Sequence, residues 1–445
     1  MRISKKSGTM TTVASKKPMI TFSQYSERVS RLFFIASFML LSTIYANPLP
    51  APGGRPCLIL DISLRTVKIA INTTSAVAGG GVTYLKNLLV SLSKLNTTHR
   101  YLILTTRAGK DIFFFPHPRF TFLSFRMPSK NTLLRLCWEQ FFLPRILKRK
   151  RVTLLFSPAN VCPLLGRLTN VVMIQNIEPF SNRVPEKRRF LQRIRLKSLK
   201  LLTILSVRKA RTTIFPSLKA RSDIEKSGVM MRHAEVIYHG MNRELFHPFR
   251  ENDDALLQCK KKYPVNSFIL FVSNIQRYKN VFELIRAFVL LRDTIDSALQ
   301  LVLAGTCPDR KYYNEMKSFI IREGYERRIL FLGNVPYEDL PHLYAACTLF
   351  VYPSTCESFG MTLVEAMACG APVLASDREP MQEICADAAI YFDPMDPTAI
   401  ADVIRKTIRN HDLLSALKIN SLERAKAFSW ENTARDTLKA LTNMH

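Results

Sequence analysis

Acidic residues are scarce in this chain. Its 445 residues include 35 Asp and Glu against 64 Lys and Arg, a formal net charge of +29. That imbalance implies an anionic partner and says nothing about fold; nucleic acid, a phosphorylated small molecule and an acidic membrane surface all qualify. Glycine is also low, at 15, and no tract is low-complexity. With 47% hydrophobic and 22% charged residues, this excludes a collagen-like or disordered chain. The nine cysteines are scattered, odd in number and never spaced Cys-x-x-Cys, which excludes a zinc ribbon and a disulfide framework. They read as reduced thiols of a cytosolic protein. The chain is long enough for two to three domains at roughly 150 residues each.

Residues 1–66 differ from the rest, with nine basic residues and two acids, Glu27 and Asp61. Within them Leu32–Ala46 is a mostly apolar run of 15, short of the roughly 20 residues a bilayer span needs. A cleaved signal, a marginal anchor and a stretch outside the folded body compete. The third is expected, because the first clean strand starts at Lys68 and free thiols follow it. A start codon misplaced upstream of Val67 would produce such an extension.

From residue 67 onward, short β-branched or aromatic runs alternate with longer helical patterns. The first series is Lys68–Asn72, Tyr101–Thr106, Phe120–Phe125, Thr153–Pro158, Val171–Asn176, Thr212–Ser217 and Glu235–His239. The second is Phe268–Asn274, Leu299–Gly305, Ile329–Gly333, Leu349–Ser354, Pro372–Ser376 and Ala389–Asp393. Near-continuous apolar runs are strands buried on both faces, and alternation with helices means parallel sheets. The chain therefore reads as α/β, with two doubly wound Rossmann-like domains at 67–245 and 246–425. The boundary is expected in the polar tract Asn242–Pro264, and a last helix at 426–445 is expected to cross back to the first domain. Ligands of such sheets bind beyond the carboxyl ends of the strands.

The strongest motif is Leu349–Ser376. A strand ends at Pro353-Ser354, a loop carries Glu357 and Gly360, and a short helix runs from about Met361 to Ala368, closed by Gly370. Backbone amides of Phe359, Gly360, Met361 and Thr362 would point out of that helix as an anion site. Glu357 and Glu365 flank it. A carboxylate beside a phosphate site makes sense where it accepts hydrogen bonds from sugar or ribose hydroxyls.

This arrangement, Glu-x7-Glu with Ser-Phe-Gly before the helix and Glu-Ala-Met-Ala-Cys-Gly-Ala-Pro-Val after it, resembles retaining glycosyltransferases of the GT-B fold, family 4 (group 1 type). The resemblance spans 67–445 and is most specific over 268–400. It implies that Glu357 approaches the donor sugar and that Glu365 holds the ribose hydroxyls. Ser358 and the amides of Phe359 to Thr362 would meet the sugar and the diphosphate. Lys279 matches the family's lysine and, with Arg277, would neutralise the diphosphate leaving group. Val335 would pair with the base through its backbone, and Gly80 and Gly81, in a glycine loop before a helix from about Tyr84, would face the diphosphate. Many members carry a histidine near Gln175. Here Gln175-Asn176 stands instead, and Gln is no base, so the pair is read as a sugar contact by hydrogen bonding. Glu178 is the nearest titratable group, and His239 reads as a turn residue.

Metal-dependent sugar transferases commonly carry Asp-x-Asp, which this chain lacks, so neither metal nor cofactor is expected. The resemblance implies transfer of a hexose from a nucleoside diphosphate sugar to a glycan or lipid-linked acceptor in cell-surface polysaccharide or glycolipid assembly. Eleven Lys and Arg fall between Arg183 and Arg211, interleaved with leucines, and Lys148–Arg151 adds a second cluster. They are read as meeting an anionic membrane from the cytoplasmic side rather than nucleic acid, for which no binding module appears. Two other readings stand: a sugar-nucleotide epimerase of the same fold, and a basic membrane-docking protein with an inactive sugar site.

Overall fold

The structure is a computed structural model. It describes residues 66–76, 79–126, 132–181, 190–249, 253, 261–263 and 265–442, with the side chains of 132–133 and 190–192 excepted. The readings of residues 1–65 and Ala78, the start of the basic tract at 183–189 and much of the Asn242–Pro264 boundary lie outside the described residues. All described residues belong to one folded unit, Arg55–His445.

The first half runs β1 (Lys68–Asn72), α1 (Gly80–Lys94), β2 (Arg100–Thr106), α2 (Arg107–Phe113), β3 (Phe120–Phe125), α3 (Thr132–Phe141), α4 (Leu143–Arg149), β4 (Leu154–Ser157), β5 (Thr169–Met173), α5 (Phe190–Lys209), β6 (Thr212–Phe215), α6 (Leu218–Glu225) and β7 (His233–Val236). The second runs β8 (Phe268–Val272), α7 (Val281–Leu290), β9 (Gln300–Ala304), α8 (Arg310–Glu323), β10 (Ile329–Gly333), α9 (Leu340–Ala346), β11 (Leu349–Tyr352), α10 (Met361–Ala368), β12 (Val373–Ser376), α11 (Met381–Cys385), β13 (Ala389–Phe392), α12 (Pro397–Ile408), α13 (His411–Ala425) and α14 (Trp430–Thr442). The strands form two parallel sheets, ordered β3-β2-β1-β4-β5-β6-β7 and β10-β9-β8-β11-β12-β13. This is the GT-B architecture of two Rossmann-like halves.

The central strands show why. All five residues of β8, Phe-Ile-Leu-Phe-Val, are buried. Each such side chain contributes about 1.5–3 kcal/mol when taken from water. A strand apolar on both faces needs helices on both sides, which the crossovers supply. Helix starts follow capping chemistry: the Asp309 carboxylate accepts from the Tyr312 amide at the head of α8, and Asp396 does the same for Thr398 ahead of Pro397 in α12.

Two expectations are corrected. Gly80 and Gly81 are not loop residues; they are the first turn of α1, which begins four residues earlier than Tyr84. First-turn amides have no intrahelical partner, so glycine there costs little, and Gly79 turns the chain in with φ +69°. The last strand of the first sheet lies at His233–Val236 rather than Glu235–His239. Residues 237–241 turn out of the sheet to meet α14 instead. Among the described residues the seven cysteines are free thiols.

Helix α14 returns to the first half. Trp430, Ala434, Ala440 and Leu441 sit in one core with Tyr84, Leu85 and Ile214. Met241 and Ser429 form a parallel bridge there. Gly240 makes the approach feasible, since a Cβ at that position would overlap the Trp430 backbone nitrogen. Gly240→Ala is expected to lower the stability by about 1–3 kcal/mol, as overpacking does. Chemical denaturation measures it, and an unchanged midpoint would show that the contact yields freely.

Candidate functional site

In each sheet the strand order reverses between its first and fourth strands, β1 and β4 in one, β8 and β11 in the other. A crevice opens at such a switch point, beyond the carboxyl ends of the strands. The chemistry-bearing residues of the second half leave from β8 and β11.

Past β8 a single 3-10 turn, Arg277–Lys279, leads into α7. Past β11 the loop through Glu357 leads into α10. Hydrogen bonds lace the two turns together. Asn280, held in a left-handed conformation, donates from Nδ2 to the Pro353 carbonyl at 3.0 Å. Both the amide and the hydroxyl of Thr355 donate to the Tyr278 carbonyl at 2.9 Å.

This lacing sets Lys279 against Glu357. Their side chains, 8% and 13% exposed, form an ion pair. The Tyr352 hydroxyl completes a triangle, accepting from Lys279 Nζ at 2.8 Å and donating to Glu357 Oε1 at 2.7 Å. Burial alone would push the ammonium pKa down, but the charge of Glu357, together with the neighbouring Tyr352 and Tyr278, raises it above the ordinary lysine value. Lys279 is therefore a fixed cation at neutral pH. Tyr352 has no signal in the sequence beyond its place at a strand end.

Arg277 is not brought to this pair. Its guanidinium turns to α8, bonding Glu315 at 3.1 and 3.4 Å and Asp309 at 3.4 Å, and stacks over Tyr312. At 43% exposure it belongs to a surface ion-pair group. The physical reason lies in the 3-10 turn: Arg277 and Lys279 are two positions apart, so their side chains leave it in different directions.

Helix α10 starts at Met361 with no side-chain cap. Gly360 precedes it at φ +96°, and a Cβ there would press on Leu363. The amides of Met361 and Thr362 have no intrahelical partner by position. The buried Thr362 Oγ1 has no hydrogen-bond partner either. Phe359, in contrast, turns its ring into the core against His239, Tyr238 and Phe428. Only its backbone is left for a ligand. Met361 packs against the cores of both halves, and Ser358 gives its carbonyl to Ser217 Oγ of the first half at 2.8 Å.

Glu365, one helical stretch further, is 4% exposed. Its carboxylate accepts from the Tyr337 hydroxyl at 3.0 Å and the Tyr344 hydroxyl at 3.3 Å. Burial outweighs these bonds and raises its pKa to about 7. Val335 lies on the turn after β10, half-buried against the same core that holds Tyr337. The tyrosine pair is a second feature that spacing does not reveal, because the two belong to a different turn and helix from Glu365.

On the first half, Asn160, at φ +58°, accepts from the amides of Gln175 and Asn176 at 3.0 and 2.9 Å and donates to the Asn176 carbonyl. The Gln175 Oε1 stands 3.4 Å from where a Gly81 Cβ would be, so the α1 head and this loop share one wall. The next residues reach the second half: Ile177 and Phe180 pack with Cys356. The Glu178 charge helps raise the pKa of Cys356 to about 11, behind burial and Glu357. His239 is buried among Tyr84, Phe359 and Trp430, and burial lowers its pKa to about 3. It is a neutral packing residue.

Among the described residues no group of three His, Cys, Asp or Glu is placed to hold a metal ion, and no helix is long and apolar enough to cross a membrane.

The fold and this two-carboxylate switch-point site define a GT-B protein. Residues 253–424 match the model of the family described as Glycosyl transferases group 1. Over 187 residues the chain is 35% identical to O-antigen chain mannosyltransferase B of Escherichia coli, covering 41% of this chain and 48% of the relative. The chain thus spans about half of that relative's length. The fold is shared with sucrose-phosphate synthase from Thermosynechococcus elongatus, at TM-score 0.69 and 18% identity over 84% of this chain and 98% of that one. It is also shared with Anabaena HepE, solved in complex with UDP and glucose, at TM-score 0.67 and 20% identity over 85% and 100%.

Proposed function

We propose that this protein is a retaining glycosyltransferase that moves a hexose from a nucleoside diphosphate sugar to an acceptor hydroxyl in cell-surface polysaccharide assembly. The similarity to an O-antigen mannosyltransferase favours mannose as the hexose. One observation carries the reading: a buried lysine, raised in pKa, pairs with a carboxylate four residues before an uncapped helix start at the switch point.

In the reaction the bond from the anomeric carbon to the diphosphate oxygen breaks, and the electron pair leaves with the diphosphate. The Lys279 ammonium and the α10 amides meet that charge, the work a metal does elsewhere, so no metal or cofactor is needed. Glu357 faces the sugar and Glu365 the ribose. Retention follows the family resemblance. Gln175 cannot take the acceptor proton; the departing diphosphate, which gains basicity as the bond breaks, receives it. Arg277 acts at most through α8.

The test is calorimetry with UDP, GDP and ADP in the absence of added metal, followed by transfer from the matching nucleotide sugar. Selective binding and transfer are expected. Binding of none would leave an inactive sugar site.

A peripheral position on an anionic membrane fits one face. Phe141 and Phe142, 36% and 57% exposed, project where α3 meets α4. Arg145, Lys148, Arg149, Lys150 and Arg151 are exposed beside them. Helix α5, the expected contact, shows Leu201 as its one exposed large apolar side chain among the described residues. The α3–α4 corner thus pairs apolar insertion with positive charge. Sedimentation with phosphatidylserine vesicles is expected to capture the protein, and Phe141→Ser with Phe142→Ser to release it. Equal capture by neutral vesicles would contradict this.

A further inference from the structure

Against the loop that leads to Glu357 lies a groove lined by neither Lys279 nor Glu357. It consists of two cavities of about 290 and 480 Å³. Lys219, Lys226 and Glu379 line both, so the cavities adjoin. One end reaches Thr355 and Cys356, immediately before Glu357, and the opposite wall carries Ile177 and Phe180 from the loop after β5. A molecule seated there would lie against the loop that carries Glu357.

The charges of this groove depart from those of the chain. Its cations are Lys200, Lys219, Lys226 and Arg378, and its carboxylates are Asp223, Asp377, Glu379 and Glu383. One carboxylate per cation is far from the 35 to 64 of the whole chain. Most are also paired internally. Lys219 bonds Asp223. Arg378 holds Asp377 at 2.7 Å and Asp393 at 2.9 Å. Glu383 accepts from the Leu218 and Lys219 amides at 2.7 and 3.1 Å. Lys200 lies over the Phe180 ring. A site for a phosphate or a uronate would concentrate unpaired cations. Here donors and acceptors are evenly mixed around a few apolar surfaces, the pattern that suits sugar hydroxyls, each both donor and acceptor.

We propose that this groove binds the acceptor and that the acceptor end it takes is an uncharged saccharide rather than a phosphorylated sugar. The proposal rests on the glycosyltransferase reading above. It makes the enzyme one that extends a neutral glycan, consuming the product of an earlier sugar transfer.

The test uses the full chain with GDP-mannose and UDP-glucose, offered neutral methyl disaccharides and the same disaccharides bearing a phosphate. Transfer to a neutral acceptor is expected, with kcat/KM at least about tenfold above the phosphorylated counterpart. Glu379→Gln removes one carboxylate from both cavities. It is expected to raise the neutral acceptor's KM severalfold and to narrow the preference over the phosphorylated one, with nucleotide affinity and the unfolding midpoint unchanged. Preference for the phosphorylated acceptors overturns the proposal. So does transfer to neither while nucleotide still binds, and so does a Glu379→Gln variant that leaves KM and preference alone. Failure to bind any nucleotide sinks the transferase reading itself, and the proposal with it.

Discussion

Replacing Lys279 by Ala is expected to cut kcat/KM by about a hundred- to a thousandfold, the usual effect of removing one fixed group that stabilises developing negative charge. The buried ion pair predicts a second consequence. Glu357 would be left largely buried with Tyr352 as its remaining partner. Stranding one member of a buried pair costs about 3–5 kcal/mol. Lys279→Ala is thus expected to be both inactive and unstable. The double variant Lys279→Ala with Glu357→Gln separates the two effects, because a neutral amide needs no counter-charge. It should regain most of the stability and none of the activity. Denaturation curves and initial rates on both variants decide the matter. A double variant as unstable as the single one would mean that the pair contributes by packing, not charge. A single variant with near-normal turnover would remove Lys279 from the mechanism.

Nucleotide affinity is expected to weaken as pH falls below about 7, through Glu365. Its carboxyl ordinarily titrates near 4.5, and burial raises it to about 7. In the free protein the protonated form is favoured. Its contribution to folding is complete below the ordinary value and is lost as pH rises through about 7. Ribose hydroxyls donating to the carboxylate would favour the opposite, ionised form. Binding should therefore expel a proton, about half of one per site at pH 7. Calorimetry in two buffers of different ionisation enthalpy measures this directly. Glu365→Gln should flatten the pH dependence and weaken binding by about ten- to a hundredfold, the size of hydrogen bonds to a charged group. The same variant should stabilise the free protein slightly above pH 7. Proton uptake on binding, or an unchanged profile in Glu365→Gln, would place the ribose elsewhere.

Most strands were legible in the sequence because each is a short apolar run between polar turns, the mark that burial leaves, whereas the edge strand β7, His-Ala-Glu-Val and only partly buried, was placed two residues late. Glu357, Glu365 and the head of α10 were legible for a related reason: one loop and one helix hold them all, so their spacing is local. Lys279 was legible only through the family resemblance. The helix start at Gly80 was misplaced because glycine signals a turn in sequence, while at a helix head its freedom serves the turn and the helix equally.

Composition and periodicity alone settled the α/β class, the pairing of two parallel sheets and the positions of the acidic motif. These depend on hydrophobic runs and local spacing, which any stretch of chain carries by itself. The partners of each charge were decided by the tertiary structure. Tyr352 with Lys279, Tyr337 and Tyr344 with Glu365, Asn160 with Gln175 and Asn176, and Arg277 with Glu315 each join residues at least 15 positions apart. Crossover connections and strand order bring them together, and the direction of a long side chain follows which neighbour it then meets. The charge balance of the groove has the same origin, since Lys200, Lys219, Lys226 and Asp223 come from the first half and Asp377, Arg378, Glu379 and Glu383 from the second.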